Sequence, residues 1–144
     1  MKSSTITRTV RLVLTGSKIK IEIPRKALSI RQPWASSIAW KQKTLEVRSW
    51  RTHYRGPLTI VSSAKPDMPL KELKGYEDAT GLAFPLGCMI CTVDLVDVRP
   101  GNKSDTKATG GIDPTGQFVW VLENAVPVLG TVPVKGRLGI FDIQ

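Results

Sequence analysis

The stretch KTLEVRSWRTHYRGPLTIVSSAK, Lys43 to Lys65, decides the fold of this chain because it holds two strand patterns separated by a basic loop. In TLEVR the charged residues Glu46 and Arg48 alternate with apolar ones, which is the period of a β-strand and puts both charges on one face. After the Gly-Pro pair of the loop, an apolar run predicts a second strand at about Leu58 to Ser63. This part of the chain is therefore predicted to form sheet.

The N-terminal segment alternates in the same way and predicts a β-hairpin from about Thr5 to Ile23. TVRLVL and KIKIEI each place apolar residues on one face and mostly polar or charged residues on the other, and the turn signal Thr15-Gly16-Ser17 separates them. Pro24 ends the second strand. The exposed face of this hairpin is predicted to be basic.

Two segments change to helical spacing. ALSIRQPWASSIAWKQ predicts a short helix from about Pro33 to Trp40, because proline suits a first turn and apolar residues recur at helical intervals. DMPLKELKGYEDATG predicts a second helix, with Asp67 as N-cap, Pro69 in the first turn and Gly81 as the stop. Lys43 is left in the turn between the first helix and the TLEVR strand.

The rest of the chain is predicted to be strands around one polar loop. Strands are expected at about Cys88 to Val98, Phe118 to Leu122, Thr131 to Val134 and Leu138 to Ile143. The loop between the first two contains Gly110-Gly111, which we interpret as a turn because no helix pattern follows it. A strand-rich chain of 144 residues with two short helices predicts one α+β domain, best closed as a small barrel because closure removes sheet edges.

Basic charge is concentrated in the first part of the chain. Residues 1 to 55 contain 13 Lys and Arg and 2 acids, whereas residues 56 to 144 contain 8 Lys and Arg and 10 acids. Such asymmetry is typical of a protein that meets phosphates or another polyanion. A solvated surface that only aids solubility is the alternative.

The composition also bears on cofactors and localisation. Cys88 and Cys91 fall in a predicted strand, where residues three apart point to opposite faces, so we interpret them as buried structural thiols. One histidine and no second cysteine pair predict no metal and no cofactor. With no N-terminal apolar segment and no run long enough to span a bilayer, a cytoplasmic protein without a membrane partner is expected.

Three of the four tryptophans lie close together around the quoted stretch. Trp34, Trp40 and Trp50 fall within 17 residues, and any one of them is able to fill the core as bulky aromatics usually do. An exposed tryptophan, or Tyr54 among its neighbouring arginines, would instead give a platform on which a base of single-stranded nucleic acid stacks. For the cluster as a whole, the functional interpretation is favoured.

Glu46 stands alone among basic residues and is open to two interpretations. It forms a surface ion pair with Arg48 of about 0–1 kcal/mol, as same-face pairs commonly do. Alternatively, Lys43, Glu46 and Arg48 converge on a pocket, where the acid orients a ligand or moves a proton and the bases hold an anion.

Four segments together resemble the ASCH domain family: ALSIRQPWASSI, the quoted stretch, GCMICTVDLVDV and PVKGRLGIF. The family signature is Gly-x-Lys-x-x-Glu-x-Arg, which the segment Lys41 to Arg48 matches at three of four fixed positions, with Lys41 in place of the glycine. The resemblance covers about Ala27 to the C-terminus. We therefore divide the chain into an N-terminal hairpin extension, residues 1–26, and an ASCH domain, residues 27–144.

The resemblance implies a PUA-like mixed β-barrel, a fold associated with RNA, with the signature lining a cleft between barrel and helices. The module occurs at the C-terminal end of a thyroid-receptor-interacting transcription coactivator and as small prokaryotic and phage proteins. Some members resemble nucleic-acid-binding modules, and small bacterial relatives are amidohydrolases that remove acetyl from N4-acetylcytidine. In those enzymes the position of Lys43 and that of Glu46, a threonine in some of them, act with a distant acid. The candidates for that acid here are Asp94, Asp97, Asp113 and Glu123.

We therefore predict an ASCH domain that binds nucleic acid or a nucleotide, RNA before DNA. A metal-independent amidohydrolase acting on this modified nucleoside and a protein-interaction module are the alternatives. If the chain is an enzyme, Lys43 and Glu46 are its catalytic residues. The candidate binding residues are Gln32, Trp34, Lys41, Lys43, Glu46, Arg48, Trp50, Arg51, Tyr54 and Arg55.

Overall fold

Strands dominate the fold. The computed structural model describes residues 3–144. The strands are β1 (Thr5–Arg11), β2 (Lys18–Pro24), β3 (Lys26–Ile30), β4 (Leu45–Arg48), β5 (Gly56–Ser62), β6 (Met89–Pro100), β7 (Phe118–Pro127) and β8 (Ile140–Asp142). The helices are α1 (Trp34–Ala39) and α2 (Leu70–Thr80), and a short 3₁₀ turn covers Lys103–Asp105. None of the helices in residues 3–144 has the length and apolar character needed to cross a membrane.

The main sheet has six strands in the order β4-β7-β6-β5-β3-β8. Neighbouring strands are antiparallel except β3 and β5, which are parallel. Although three strands separate β3 from β4 in this order, the Nη2 of Arg48 in β4 donates to the carbonyl of Ser29 in β3 at 2.9 Å. The sheet is therefore curled into a half-barrel, and irregular register along β6 is the usual device for such curvature. The predicted mixed barrel is confirmed in this form.

The core lies between the curled sheet and α1. Ile38 of α1 is buried against strand residues such as Leu58, and Trp120 of β7 is fully buried in the same cluster. Cys88 and Cys91 belong to this cluster and are free, which confirms their interpretation as structural thiols. Burial raises the pKa of Cys91 to about 12, so this thiol stays protonated at neutral pH.

The predicted N-terminal hairpin is confirmed. Strands β1 and β2 pair from Thr5 opposite Pro24 to Arg11 opposite Lys18. At its inner end, Ile6 and Ile21 pack against a second, smaller core cluster. The hairpin is thus attached to the rest of the domain by the apolar contacts of its inner half, and the hydroxyl of Thr59 in β5 donates to the carbonyl of Pro24 at 2.7 Å.

One predicted strand, Thr131 to Val134, is wrong. This segment makes single bonds instead: the amide of Met89 donates to the carbonyl of Val132 at 2.9 Å, and Pro133 forms an isolated bridge with Cys88. A proline lacks the N–H that a continuous ladder requires. Conversely, β7 runs to Pro127, past its predicted end at residue 122, because β6 pairs with it as far as Cys91.

The start of the second helix was also predicted at the wrong residue. Helix α2 begins at Leu70 with Pro69 in the N-cap position, and Asp67 does not cap it. The Asp67 carboxylate accepts instead from the indole Nε1 of Trp34 at 2.8 Å. The predicted stop is confirmed, since Gly81 has the left-handed φ of 70° that ends many helices.

Candidate functional site

A cleft of about 890 Å³ opens where α1, the signature strand β4 and the end of β3 meet. The segments 63–67 and 134–139 complete its walls. Lys43, Glu46 and Arg48 all line it, as do Trp34 and Trp50. The structure therefore brings five of the predicted site residues into one cavity.

Glu46 lies between two cations at the base of this cleft. Its Oε1 is 3.3 Å from the Nζ of Lys43, and its Oε2 accepts from the Nε and Nη2 of Arg48 at 3.1 and 2.9 Å. Because β4 places residues 46 and 48 on one face, the guanidinium reaches the carboxylate without distortion of the strand. Glu46 is 7% exposed, so it does not form a simple surface ion pair, and it converges with Lys43 and Arg48 on one pocket. The roles of these groups toward a ligand stay a prediction.

Lys43 is a buried cation. It is 2% exposed, and its Nζ donates to the carbonyl of Thr109 at 2.8 Å and lies 5.4 Å from the centre of the Trp34 ring. Burial lowers the pKa of Lys43 below its usual value, and the charge of Glu46 opposes that shift. Lys43 therefore gives up its proton at a lower pH than an exposed lysine does.

The left-handed residue Lys41 brings Lys43 into position. Lys41 has a φ of 63°, and the chain then turns back so that the amide of Lys43 donates to the carbonyl of Ser37 in α1 at 3.2 Å. A glycine adopts this conformation without steric cost. This left-handed conformation explains why the family signature has a glycine at the position that Lys41 occupies here.

The loop between β6 and β7 contributes to the site, which we did not predict. Thr109 supplies the carbonyl that holds Lys43, and the next residue, Gly110, has a φ of 90°. A Cβ at Gly110 would lie 2.9 Å from the ring of Trp34, so the loop packs closely against the indole. The predicted Gly110-Gly111 turn is confirmed, and its tight approach to Trp34 explains the need for glycine.

Charge at the cleft is strongly positive. Its lining includes six cationic side chains and two acidic ones. The cations are Arg31, Lys43, Arg48, Lys65, Lys135 and Arg137, and the acids are Glu46 and Asp67. Four of these cations were not predicted, and three of those four come from the part of the chain that has no excess of basic residues.

The two tryptophans of the cleft differ in their surroundings. Trp34 is half-buried between Lys43, Gly110 and Asp67. Trp50 is 36% exposed and meets the buried Trp120 edge to face, with ring centres 4.7 Å apart and planes at 85°. Because Trp120 holds one side of the Trp50 ring, the exposed part of that ring forms a fixed apolar surface at the cleft.

Five of the predicted binding residues lie outside the cleft lining. Gln32 is fully buried and bonds to Ser36, and Lys41 is exposed in the turn after α1. Arg51 lies over the ring of Phe118. The other two are Tyr54, whose hydroxyl donates to the carbonyl of Pro57, and Arg55, which lies 3.8 Å from Asp97.

The four acids considered for a distant catalytic position also lie elsewhere. The acids outside the cleft lining are Asp94, Asp97, Asp113 and Glu123. Asp67 is the second acid of the cleft, held by Trp34 and 3.9 Å from Arg31. The sequence Asp67-Met68-Pro69 predicts a helix cap, and this local pattern does not indicate that Asp67 lines a cleft.

Among residues 3–144, no group of three His, Cys, Asp or Glu side chains is placed to hold a metal ion. The charged groups that face the cleft are six cations and two carboxylates, of which Glu46 is bound to Lys43 and Arg48 and Asp67 accepts from Trp34. This arrangement suits an anionic ligand.

A curled mixed sheet with two helices and a basic cleft defines a small PUA-like α+β domain. Residues 28–132 match the family model of the ASCH domain, and the chain belongs to that family, whose PUA-like fold is associated with RNA binding.

The chain is similar to Activating signal cointegrator 1 of Homo sapiens, at 29% identity over 127 residues, and of Mus musculus, at 28% over 127 residues. Each match covers 81% of this chain and 22% of the relative, so the chain spans about a fifth of the length of these curated relatives.

In fold, the chain is similar to the ASCH protein of Zymomonas mobilis, with a TM-score of 0.55 at 10% identity. That match covers 83% of this chain and 87% of the other. A single-residue mutant of the same protein matches with a TM-score of 0.54 at 10% identity, over 83% of this chain and 89% of the mutant. At this identity the similarity concerns the fold.

Proposed function

We propose that this chain binds single-stranded nucleic acid, RNA before DNA, in the cleft around Lys43, Glu46 and Arg48. The observation that carries the proposal is the set of six cationic side chains beside two tryptophans in one cavity. Such a combination neutralises backbone phosphates and offers ring faces to unpaired bases.

The ion-pair network supports an anionic ligand. Both oxygens of Glu46 are directed to Lys43 and Arg48, so this carboxylate orients the cations more than it repels a phosphate. The rim cations Lys65, Lys135 and Arg137 are exposed and stay available to the phosphate backbone. Trp50 is the ring best placed for stacking, since Trp120 fixes its orientation.

The test of phosphate binding is the salt dependence of affinity for a short fluorescein-labelled oligo(U) RNA, measured by anisotropy. If about four phosphates are engaged, log affinity falls against log salt with a slope of about −3, or roughly −0.7 per phosphate. Lys65→Ala is expected to make the slope shallower by about 0.7. The matched control is Lys71→Ala, an exposed lysine on α2 outside the cleft. An affinity indifferent to salt contradicts the proposal.

The test of stacking uses two tryptophan variants. Trp50→Ala is expected to weaken binding by about 1–3 kcal/mol at every salt concentration, the value of one base stacked on an aromatic ring. Trp40→Ala is the control, because Trp40 is 49% exposed but does not line the cleft. Equal losses of affinity in Trp50→Ala and Trp40→Ala would contradict base stacking in the cleft, because Trp40 does not line it.

One observation favours a second function, a hydrolysis in which Lys43 is the general base, and the resemblance to small bacterial ASCH proteins implies N4-acetylcytidine as its substrate. The lowered pKa of Lys43 raises its neutral fraction, and neutral lysine is able to take a proton from an attacking water. The water oxygen would bond to the acetyl carbon, the C–N4 bond would break, and the proton would pass to the leaving amine. Arg48 and the other cations would stabilise the oxyanion.

Release of cytidine from the acetylated nucleoside by purified protein measures this activity. The rate is expected to rise with pH as Lys43 loses its proton, and to disappear in Lys43→Met, which keeps most of the side-chain volume. A folded protein that binds RNA and releases no cytidine between about pH 6 and 9, the range in which general bases usually operate, would leave binding as the surviving function.

A further inference from the structure

The N-terminal hairpin ends in an exposed apolar tip. Val13 is 97% exposed, Leu14 is 99% exposed, and Leu12 before them is 37% exposed. The turn itself is closed by two bonds of 2.8 Å, from the amide of Leu12 to Ser17 and from the amide of Gly16 to Leu12. A formed turn therefore presents three consecutive aliphatic residues to solvent, and none of them belongs to either core cluster.

Cations stand immediately behind this tip. Arg11 pairs with Lys18 across the hairpin, and Lys20 lies on the same face, two residues along its strand. None of the ion pairs found within residues 3–144 involves these three side chains. Glu22, the acid on this face, is held at the inner end by the hydroxyls of Thr5 and Thr7. The outer half of the hairpin thus combines an apolar end with a basic face.

The hairpin also adjoins the cleft through one shared segment. Arg8 donates from Nη1 to the carbonyl of Leu129 at 2.7 Å. Val134, like Ile6 and Ile21, packs against the second core cluster, and Val134 also lines the cleft. A ligand that leaves the cleft along residues 134–139 therefore passes next to the base of the hairpin.

Charge and shape favour nucleic acid as the occupant. Seven residues per strand give a ribbon about 24 Å long, so its outer end is able to reach a stem that adjoins the cleft. Proteins that engage duplexes insert aliphatic side chains against bases while cations bind the flanking phosphates. Where a stem ends, its last base pair exposes a flat apolar face, and an aliphatic tip flanked by cations is complementary to that face and its phosphates.

We propose that the hairpin is an arm that covers the end of a nucleic-acid stem whose adjoining single strand lies in the cleft. This inference rests on the proposed function, since the cleft binds the single strand. The preferred ligand is therefore a junction between duplex and single strand. Two joined binding surfaces also raise affinity through effective concentration, without any change at the cleft itself.

The experiment compares two labelled RNAs by anisotropy: a single strand, and a stem–loop that carries the same strand as an overhang. The wild-type chain is expected to bind the stem–loop with overhang roughly tenfold more tightly, the effect of packing one aliphatic cluster on a base. The double variant Val13→Ser/Leu14→Ser is expected to lose this preference and keep its affinity for the single strand. Both side chains are almost fully exposed, so the thermal midpoint is expected to stay unchanged.

Two further variants separate the apolar tip from general effects. Leu70→Ser removes a 65% exposed aliphatic side chain on α2 and is expected to change neither affinity. Lys18→Gln/Lys20→Gln is expected to make the salt slope shallower for the stem–loop with overhang, by roughly 0.9 for each duplex phosphate that is no longer neutralised, and not for the single strand.

The outcomes that overturn the inference are distinct from those that contradict the proposed function. Equal wild-type affinity for the two RNAs, with single-strand binding intact, overturns the arm and leaves the cleft as proposed. Absence of single-strand binding in the wild type contradicts the proposed function. Binding to vesicles of phosphatidylcholine and phosphatidylserine that the tip variant loses, with no RNA preference, assigns the tip to a membrane surface and also overturns the arm.

Discussion

At the scale of the residue, Glu46 is the group on which the site depends. Its carboxylate is the shared counter-charge of Lys43 and Arg48, which are themselves buried and half-buried. Burying a cation without a counter-charge costs more than the pair gains in forming. We therefore expect the ion pairs of Glu46 to contribute to the stability of the fold as well as to ligand binding.

Glu46→Gln is expected to lower the free energy of unfolding by about 3 kcal/mol, because it leaves Lys43 buried without a counter-charge. Urea denaturation measures the loss. Adding Lys43→Met to this variant is expected to recover part of it, since the unpaired charge is then removed. A Glu46→Gln protein as stable as the wild type would contradict this account of the network.

The pKa of Lys43 gives stability a defined pH dependence. Because burial lowers this pKa in the folded chain, the unfolded chain holds more protons between the folded pKa and about 10.5. The unfolding free energy of the wild type, measured relative to Lys43→Met, is therefore expected to rise with pH across that interval. A constant difference between the two proteins would show that Lys43 is not desolvated as described.

Lys41 has a backbone conformation that is unfavourable for a residue with a side chain, whereas the glycine of the family signature adopts it without steric cost. A residue with a side chain at a φ of 63° is disfavoured relative to glycine. Lys41→Gly is expected to raise the free energy of unfolding by about 0.5–1 kcal/mol, the steric relief less the entropy that glycine loses on folding. Lys41→Ala, which removes the same charge and keeps the Cβ, is the control and is expected to give no gain in chemical denaturation.

At the scale of the element, the loop between β6 and β7 holds the site from one side. Asn102 and Asp105 form a reciprocal cap on its 3₁₀ turn, and Arg99 donates to both oxygens of Asp105 at 2.9 Å. From this anchored turn the chain continues to Thr109, whose carbonyl holds Lys43. Loosening the turn is therefore expected to disturb the cleft.

Bonds from Arg99 and from the amide of Asn102 lower the pKa of Asp105 from 3.8 to about 2. This carboxylate stabilises the fold fully above about pH 4, and the contribution is lost as pH falls through 3.8 towards 2. Asp105→Asn is expected to melt below the wild type at neutral pH, and the gap between their thermal midpoints is expected to close across that acid interval. A difference in thermal midpoint that persists at pH 2 would show that the effect comes from the shape of the Asp105 side chain and not from its charge.

At the scale of the whole molecule, Arg48 joins parts of the sheet that do not pair. Its guanidinium reaches Glu46 on its own strand and the carbonyl of Ser29 on β3. This hydrogen bond spans the open side of the half-barrel, where the strand order leaves β4 and β3 three strands apart. Arg48 therefore links the curvature of the sheet to the geometry of the cleft.

Arg48→Lys keeps the charge and removes the planar fork that serves both partners. It is expected to lower the free energy of unfolding by about 1–2 kcal/mol, through the missing bond to the half-buried carbonyl of Ser29. The same variant is expected to weaken RNA binding although its charge is unchanged, because a lysine does not bind both partners of Arg48 at once. Denaturation and anisotropy measure the two effects, and a fully stable, fully binding lysine variant would leave Arg48 without this linking role.

Much of the fold followed from local pattern. The hairpin, both helices and most strands of the main sheet lie where apolar spacing and turn residues predicted them, because these signals act over a few neighbouring residues. The pairing of Glu46 with Arg48 was predictable for the same reason, since two residues on one strand face share a side. Two segments are exceptions. Thr131 to Val134 has an alternating pattern but bonds to scattered partners, and the strand β3 was not predicted.

The sequence by itself determined most of the elements, the basic character of residues 1–55 and the core of the signature, Lys43, Glu46 and Arg48. Only the tertiary structure decided what surrounds that core. Thr109, Asp67 and the rim cations come from segments whose local patterns indicate a loop or a helix cap, and they meet at the cleft because the sheet curls and two loops fold over it. Local spacing cannot encode such an arrangement, since it depends on the closure of long segments of chain in three dimensions.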